Sequence, residues 1–221
     1  MPSRTYWPTS EDLNNFLSAA GLTVSTSLEL FLDTAVSAAR RDFEGPAGAD
    51  RKMLGDTSDV ARRYDPPTDG QSLLFIADLA SLTSVVYQPD GSSAETLTQN
   101  TDFWLEPYEA QSDSNRPAPY TRIRFARRWL QPLGTTLRRS IIITGKWGYA
   151  TTLPDDVWLA CLARAGWHLH ATLAQSTSGG LVRWSDADAS EQFGDSPLQA
   201  LKDGWDGMFR TVAHSYRRLS L

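Results

Sequence analysis

A single cysteine, Cys161, rules out any internal disulfide in this 221-residue chain, and no Cys or His partners stand at metal-finger spacing from it. No run of about 18 apolar residues occurs, which excludes a membrane-spanning helix. The opening "MPSRTYWPTSEDL" has no apolar core of a signal peptide. Together these absences predict a protein made and kept in a reducing cytoplasm. Histidine is scarce, with three in all, so catalysis by imidazole has few candidates. Acidic residues are missing altogether between Arg116 and Lys146.

That last gap gives the charge a pattern. The window holds Arg116, Arg122, Arg124, Arg127, Arg128, Arg138, Arg139 and Lys146, a charge of +8 in a chain of net −5, which leaves −13 for the remainder. Such segregation predicts either a basic surface facing polyanions or acidic neighbours, or a solvated arginine-rich strand pair. Eight tryptophans supply large side chains of the kind that fill cores and also favour interfaces.

The chain reads as helical, then β-rich, then helical. Thr9 stands three residues before Asp12 as a helix N-cap, Leu13, Phe16, Leu17 and Ala20 form a face, and Gly21 ends the helix. A second helix is predicted from about Ser27 to Glu44 with the stripe Leu28, Phe31, Leu32, Ala35, Ala39 and Phe43, stopped by Gly45-Pro46. From about Thr57 to Thr144, "QSLLFIAD", "LTSVVYQP", "DFWLEP", "YTRIRFA" and "RSIIITG" read as strands of one small antiparallel sheet or barrel. "PPTDGQ" and Asp90-Gly91 mark turns. Alternation in "YTRIRFA" sends Tyr120, Arg122, Arg124 and Ala126 to one face, opposite Thr121, Ile123 and Phe125.

Pro154 suits the first turn of a third helix reaching Gln175, with Asp155 and Asp156 at its positive end. Its face is Trp158, Leu162, Ala165, Leu169 and Leu173. Val157, Leu159, Cys161 and Trp167 spread apolar character further round, which predicts burial against several neighbours, including other subunits. A Gly-, Ser- and Asp-rich loop follows. Ser196 and Pro197 then start a last helix with the stripe Leu198, Leu201, Trp205, Met208, Val212, Ser215 and Leu219. Gly204 and Gly207 interrupt it, so docking against a partner surface should supply its stability. The fold class expected is therefore α+β. A helical bundle (N-terminal hairpin, helix after Pro154, long C-terminal helix) carries a β-rich antiparallel insert, with boundaries at 1–55, 56–150 and 151–221.

Several stretches look chemical. "TGKWGYA" has a Gly-Lys pair but lacks the earlier glycine and the Ser/Thr of a phosphate loop. Gly145 and Gly148 instead let the chain turn out of a strand, with Trp147 and Tyr149 packing at the corner. "FGDSP" echoes the Gly-Asp-Ser-Leu esterases, but Ser196 stands late in the chain, no Asp-x-x-His occurs, and His214 has no marked orienting acid. His168 and His170 point to different sides of their helix. Cys161 and His168 share a side but have no third ligand. No catalytic residue, cofactor site or metal site is assigned. A nucleic-acid reading rests on Arg122, Arg124, Arg127 and Arg128 interleaved with Tyr120, Phe125 and Trp129.

Three stretches in this order give the chain a resemblance to the head-to-tail adaptor (connector, head-completion) proteins of tailed bacteriophages. "YWPTSEDLNNFLSAAGLT" with "AARRDFEG" resembles the family's first helical hairpin. "TDFWLEP" resembles its Asp-aromatic-x-Leu-x-Pro element. "IIITGKWGYATTLPDDVWLACLARAGWHL" resembles its strand, Thr-Gly-x-Trp-Gly-Tyr turn and Pro-started helix. The resemblance implies a structural, non-enzymatic virion protein, present in the host cytoplasm during assembly. It would form a ring, usually of twelve copies, beneath the portal, extend the DNA channel and dock the next connector (stopper) or tail-completion protein. It also implies a portal-docking arm from about residue 195, carried by Leu198, Leu201, Trp205, Met208, Phe209, Val212 and Tyr216. Passing contact of Arg122, Arg124, Arg127, Arg128, Arg138 and Arg139 with DNA or an acidic partner would be weak and non-specific. Gly145, Trp147, Gly148, Tyr149 and Pro154 would form a structural joint. The long β-rich insert departs from compact members of the family.

Overall fold

A computed structural model of the chain describes residues 4–22, 24, 26–67, 70–89, 93–108, 110, 118–127, 138–178, 184–186, 189–191 and 197–217. Thr68, Asp69, Asp90, Gly91, Arg116, Arg128, Trp129, Ser196 and Leu219, each given a role above, lie outside the described residues, as does the Leu198 side chain. The chain is α+β and divides into two compact units. One comprises Met1–Tyr6 with Arg51–Pro154, the other Trp7–Asp50 with Asp155–Leu221.

The first unit is a sheet. Its strands are β1 (Val60–Tyr64), β2 (Leu73–Tyr87), β3 (Glu95–Leu97), β4 (Phe103–Glu106), β5 (Tyr120–Phe125) and β6 (Ile141–Trp147). They form a six-stranded sheet in the order β1-β6-β2-β5-β4, with β3 pairing β2, and each pairing is antiparallel. The two strands expected at 71–78 and 82–89 are one strand. Nothing between them breaks a strand, because "DLAS" has neither Gly nor Pro. Irregularities in register between Phe75 and Leu79, Leu79 and Ser81, and Leu82 and Ser84 do the work of a turn. They reverse the side-chain phase: Leu74 and Ile76 are buried at the start of β2, and Leu79 and Val85 further on.

The same irregularities curl the sheet. A straight strand of 15 residues would reach about 50 Å. Yet Phe125 N–H donates to Ser72 O at 2.7 Å at one end of β2. Two residues on, Arg127 meets Glu95 at 3.2 Å and stacks 5.1 Å from the Tyr87 ring centre at the other end. The enclosed core is Leu74, Ile76, Leu79, Val85, Leu97, Phe103, Leu105, Ile123, Phe125, Ile141, Ile143 and Trp147. β1 and β3 are additions to the expected strands. "VARRY" carries two arginines and "ETL" is three residues long, so neither has an apolar alternation to betray it.

The second unit holds α1 (Ser10–Ala19), α2 (Thr26–Glu44), α3 (Asp155–Ser178) and α4 (Pro197–Ser215), with a two-stranded ribbon of β7 (Trp184–Asp186) and β8 (Ala189–Glu191). Thr9 caps α1 as expected: Asp12 N–H donates to Thr9 Oγ1 at 3.2 Å, and Thr9 N–H donates to Asp12 Oδ2 at 2.9 Å. Gly21, at φ +78°, ends the helix while Leu22 N–H reaches Leu17 O at 3.0 Å.

Two of the expected stripes shift. On α2 the buried row is Leu28, Leu32, Ala35, Val36, Ala39 and Phe43, and Phe31 is 53% exposed. On α4 the buried row is Trp205, Phe209, Ala213 and Tyr216, whereas Met208 and Ser215 face outward and Leu201 and Val212 are half-buried. Both rows have helical spacing, and the aromatic row wins because receiving surfaces exist for it. Trp205 packs on Gly166 and against Phe16 (ring centres 5.9 Å apart), and Phe209 meets Phe43 edge-on at 5.8 Å. α3 packs against α1, α2 and α4, so neighbours from its own chain account for burial on several of its sides.

Gly204 lies on α4 with nothing within 4 Å of an added Cβ. Gly204→Ala is expected to stabilise the protein by about 1 kcal/mol, the helix propensity difference, measured by urea denaturation. No gain would mean that α4 is not helical there in solution.

Candidate assembly surfaces

The joint from β6 to α3 belongs to the framework. Gly145 and Lys146 are β6 residues paired with Leu82 and Ser81, so their backbone is committed to a sheet ladder and does not form a phosphate cradle. A Cβ on Gly145 would stand 2.2 Å from Ser81 O, and one on Gly148 (φ +153°) would stand 2.6 Å from Gly55 Cα. Trp147 is buried; its indole N–H donates to Val60 O at 2.7 Å, and the Arg62 guanidinium lies 4.4 Å from its ring centre. Tyr149 N–H donates to Lys52 O at 2.8 Å, and Ala150 N–H to Met53 O at 3.1 Å. Pro154 stands immediately before the first residue of α3.

On the outer side of β2, β5 and β4 the arginines meet carboxylates. Ile123 and Phe125 turn into the core, so Arg122 and Arg124 leave the sheet together, as the alternation requires. Glu106 lies across the ladder from Arg122. It accepts from Arg124 Nε at 2.6 Å, with Arg122 Nε at 3.6 Å. Arg127 is paired with Glu95. Arg138 and Arg139 precede β6 and are exposed. Arg139 has φ +55°, its N–H donates to Asp65 Oδ1 at 2.7 Å, and its carbonyl accepts from Arg63 at 3.5 Å. No alignment of opposite charge was visible in the +8 window, because Glu95 and Glu106 lie upstream of it.

The helical unit contains a polar centre that no spacing in the sequence announces, since its members stand on three different helices. Arg164 on α3 donates to Asp42 on α2 at 2.7 Å and to Asp206 on α4 at 3.0 Å. Its guanidinium lies 4.0 Å from the Trp167 ring centre and 4.8 Å from that of Phe209. Asp206 also pairs with Arg210 at 2.8 Å, and Asp42 with His168 Nε2 at 3.0 Å. His170 Nδ1 stands 2.7 Å from Trp167 O. The two histidines therefore serve different partners. Tyr216 donates to Asp156 at 2.9 Å, tying the end of α4 to the start of α3. Among the described residues no group of three or more His, Cys, Asp or Glu side chains could hold a metal ion. No described helix is long and apolar enough to cross a membrane.

Cys161 is fully buried, and burial, with the Glu44 carboxylate adding to it, pushes its thiol from 9.0 up to about 12. The folded state therefore holds this proton more tightly than the unfolded state. Its contribution to stability is complete below pH 9 and is lost as pH rises from there toward 12. The denaturation midpoint is expected to fall less steeply above pH 9 in Cys161→Ala than in the parent chain. Identical slopes would show that the thiol is not protected.

No protein-family model matches the chain, and no curated protein matches it. Among solved structures it is similar to a chain described as "Neck of empty GTA particle computed with C6 symmetry", with 14% identity and a TM-score of 0.44, covering 100% of this chain and 96% of that one. A likeness of that degree carries no argument about what the chain does.

Proposed function

We propose that this chain is a structural virion protein, a head-to-tail adaptor of a tailed phage. It assembles as a ring, in twelve copies, beneath the portal, extends the DNA channel, and docks the next connector or tail-completion protein. The observation that carries the reading is the order of the three stretches that resemble the adaptor family, together with the framework role of each. The first is the capped α1 followed by α2. The second is β4, where Phe103 and Leu105 enter the core and Trp104 and Glu106 leave it. The third is β6, the joint and α3, where residues that look chemical serve packing.

Docking onto the portal is assigned to α4. Met208, on its outer side, and the half-buried Leu201 and Val212 are accessible where the helix lies. Leu198 belongs to the same arm by its place in the sequence. Trp205, Phe209 and Tyr216 are buried within the helical unit, so their use as anchors would require α4 to leave α3. The alternative, a non-specific nucleic-acid module on the basic β region, is favoured by no observation: Glu106 and Glu95 offset two of the three charges of Arg122, Arg124 and Arg127.

The test is co-expression of the tagged chain with a portal protein from the same genome, followed by purification and electron microscopy. A ring bearing portal, with the portal but not the ring lost in Met208→Asp, whose side chain is on the outer side of α4, is the expected result. Recovery of nucleic acid alone, with no portal and no ring, would overturn the proposal.

A further inference from the structure

Two outward faces of the chain have opposite charge and share an apolar character. On the sheet, the pairing register builds two cross-strand rows, Leu73–Arg124–Trp104 and Phe75–Arg122–Glu106. Phe75 is 59% exposed, and the Arg122 and Arg124 side chains are 38% and 50% exposed. Glu106 offsets one of the two cations and holds both guanidinium groups over the sheet, so the rows keep a net positive charge. Aromatic and arginine side chains together are the composition of interface hot spots.

On α2, Leu30 is 81% and Phe31 53% exposed. Glu29 and Asp33 are exposed one helical turn apart on one ridge, flanked by Leu30, whereas Phe31 lies on the far flank of the helix. Residues 26–39 contain no Lys or Arg, and Arg40, the next cation along this ridge, is paired with Glu44 at 3.2 Å, so the Glu29–Asp33 end of the face stays apolar and anionic.

Neither face suits a copy of itself, since a symmetric contact would set like charges against each other. Each suits the other. A contact between unlike faces is head-to-tail, and repeated with a closing rotation it generates a ring. We propose that the Glu29–Asp33 face of α2 in one copy docks on the β2–β5–β4 face of the next copy, with Leu30 against Phe75 and the carboxylates against Arg122 and Arg124. This rests on the ring reading above and names its lateral contact.

The test uses two charge reversals in the full chain, E29R/D33R and R122E/R124E, with self-association followed by sedimentation at low salt, with and without co-expressed portal. Each reversal alone is expected to weaken assembly by at least about tenfold, because like charges then face each other. An equimolar mixture of the two is expected to assemble again, since every contact then joins opposite charges. A variant that merely misfolds could not be rescued by mixing. If the parent forms rings and both reversals form them equally well, the lateral contact lies elsewhere and the adaptor reading stands. Loss without rescue on mixing also overturns the pairing, as does a reversal that changes only portal capture or only DNA binding. A parent chain that forms no oligomer in any of these conditions sinks both.

Discussion

Replacing Arg164 by leucine is expected to destabilise the helical unit by about 3 kcal/mol, within the range for removing one partner of a largely buried charge pair. The size follows from what the one side chain touches. Its fork bridges Asp42 and Asp206 at 2.7 and 3.0 Å, and its plane lies over Trp167 and against Phe209. Leucine retains the apolar stem and leaves both carboxylates short of a donor. The loss stays at the low end of the range because the two carboxylates are 31% and 21% exposed and each keeps a second partner, His168 for Asp42 and Arg210 for Asp206. Urea denaturation of the single variant gives the loss. A cycle with Asp42→Asn is expected to show coupling of about 1 kcal/mol or more. A total loss below that figure would mean that Arg164 does not join α2, α3 and α4 in solution.

Gly148→Ala is expected to cost about 3 kcal/mol, combining backbone strain with a steric conflict. The new methyl would stand 2.6 Å from Gly55 Cα and 2.8 Å from Gly55 N, which are main-chain atoms and cannot swing aside. Nor can residue 148 retreat, because its N–H donates to Asp78 O at 2.9 Å, and Trp147 before it is held in the core. Gly70→Ala separates the two contributions. Gly70 also has a positive φ, +77°, but nothing lies within 4 Å of its added Cβ. There only the conformational cost of about 1–2 kcal/mol applies. Equal losses at the two positions would show that the approach to Gly55 is not close.

Features that depend on neighbours within a few residues are legible in the letters alone. The Thr9–Asp12 box, the Gly21 stop, the start of α3 after Pro154 and the inward turn of Ile123 and Phe125 all arise from short-range geometry. Capping and pleating act over two to four residues, so the letters suffice. At Ile141–Pro154 the letters read Gly145 and Gly148 as the turn out of a strand, but Gly145 lies within β6, paired with Leu82, and what both positions need is room. The letters could not say that the room is filled by Ser81 and Gly55.

Which of two equally periodic rows on α4 turns inward depends on contacts between elements far apart in the chain. Trp205, common to both rows, packs on Gly166, and Phe209 wins over Met208 because Phe43 lies opposite; those partners are remote in sequence. Tertiary contact also decided the phase of β2, where irregular register exchanges the buried parity between Ile76 and Leu79. A one-residue slip of that kind is settled by the partner strands and has no letter of its own. The charges follow the same division. The sequence segregated the arginines of 116–146 from acid, while the fold brought Glu106 and Glu95 to three of them and drew Asp42 and Asp206 onto Arg164. Ion pairs form between side chains that meet in space, and spacing along the chain carries no record of which those will be.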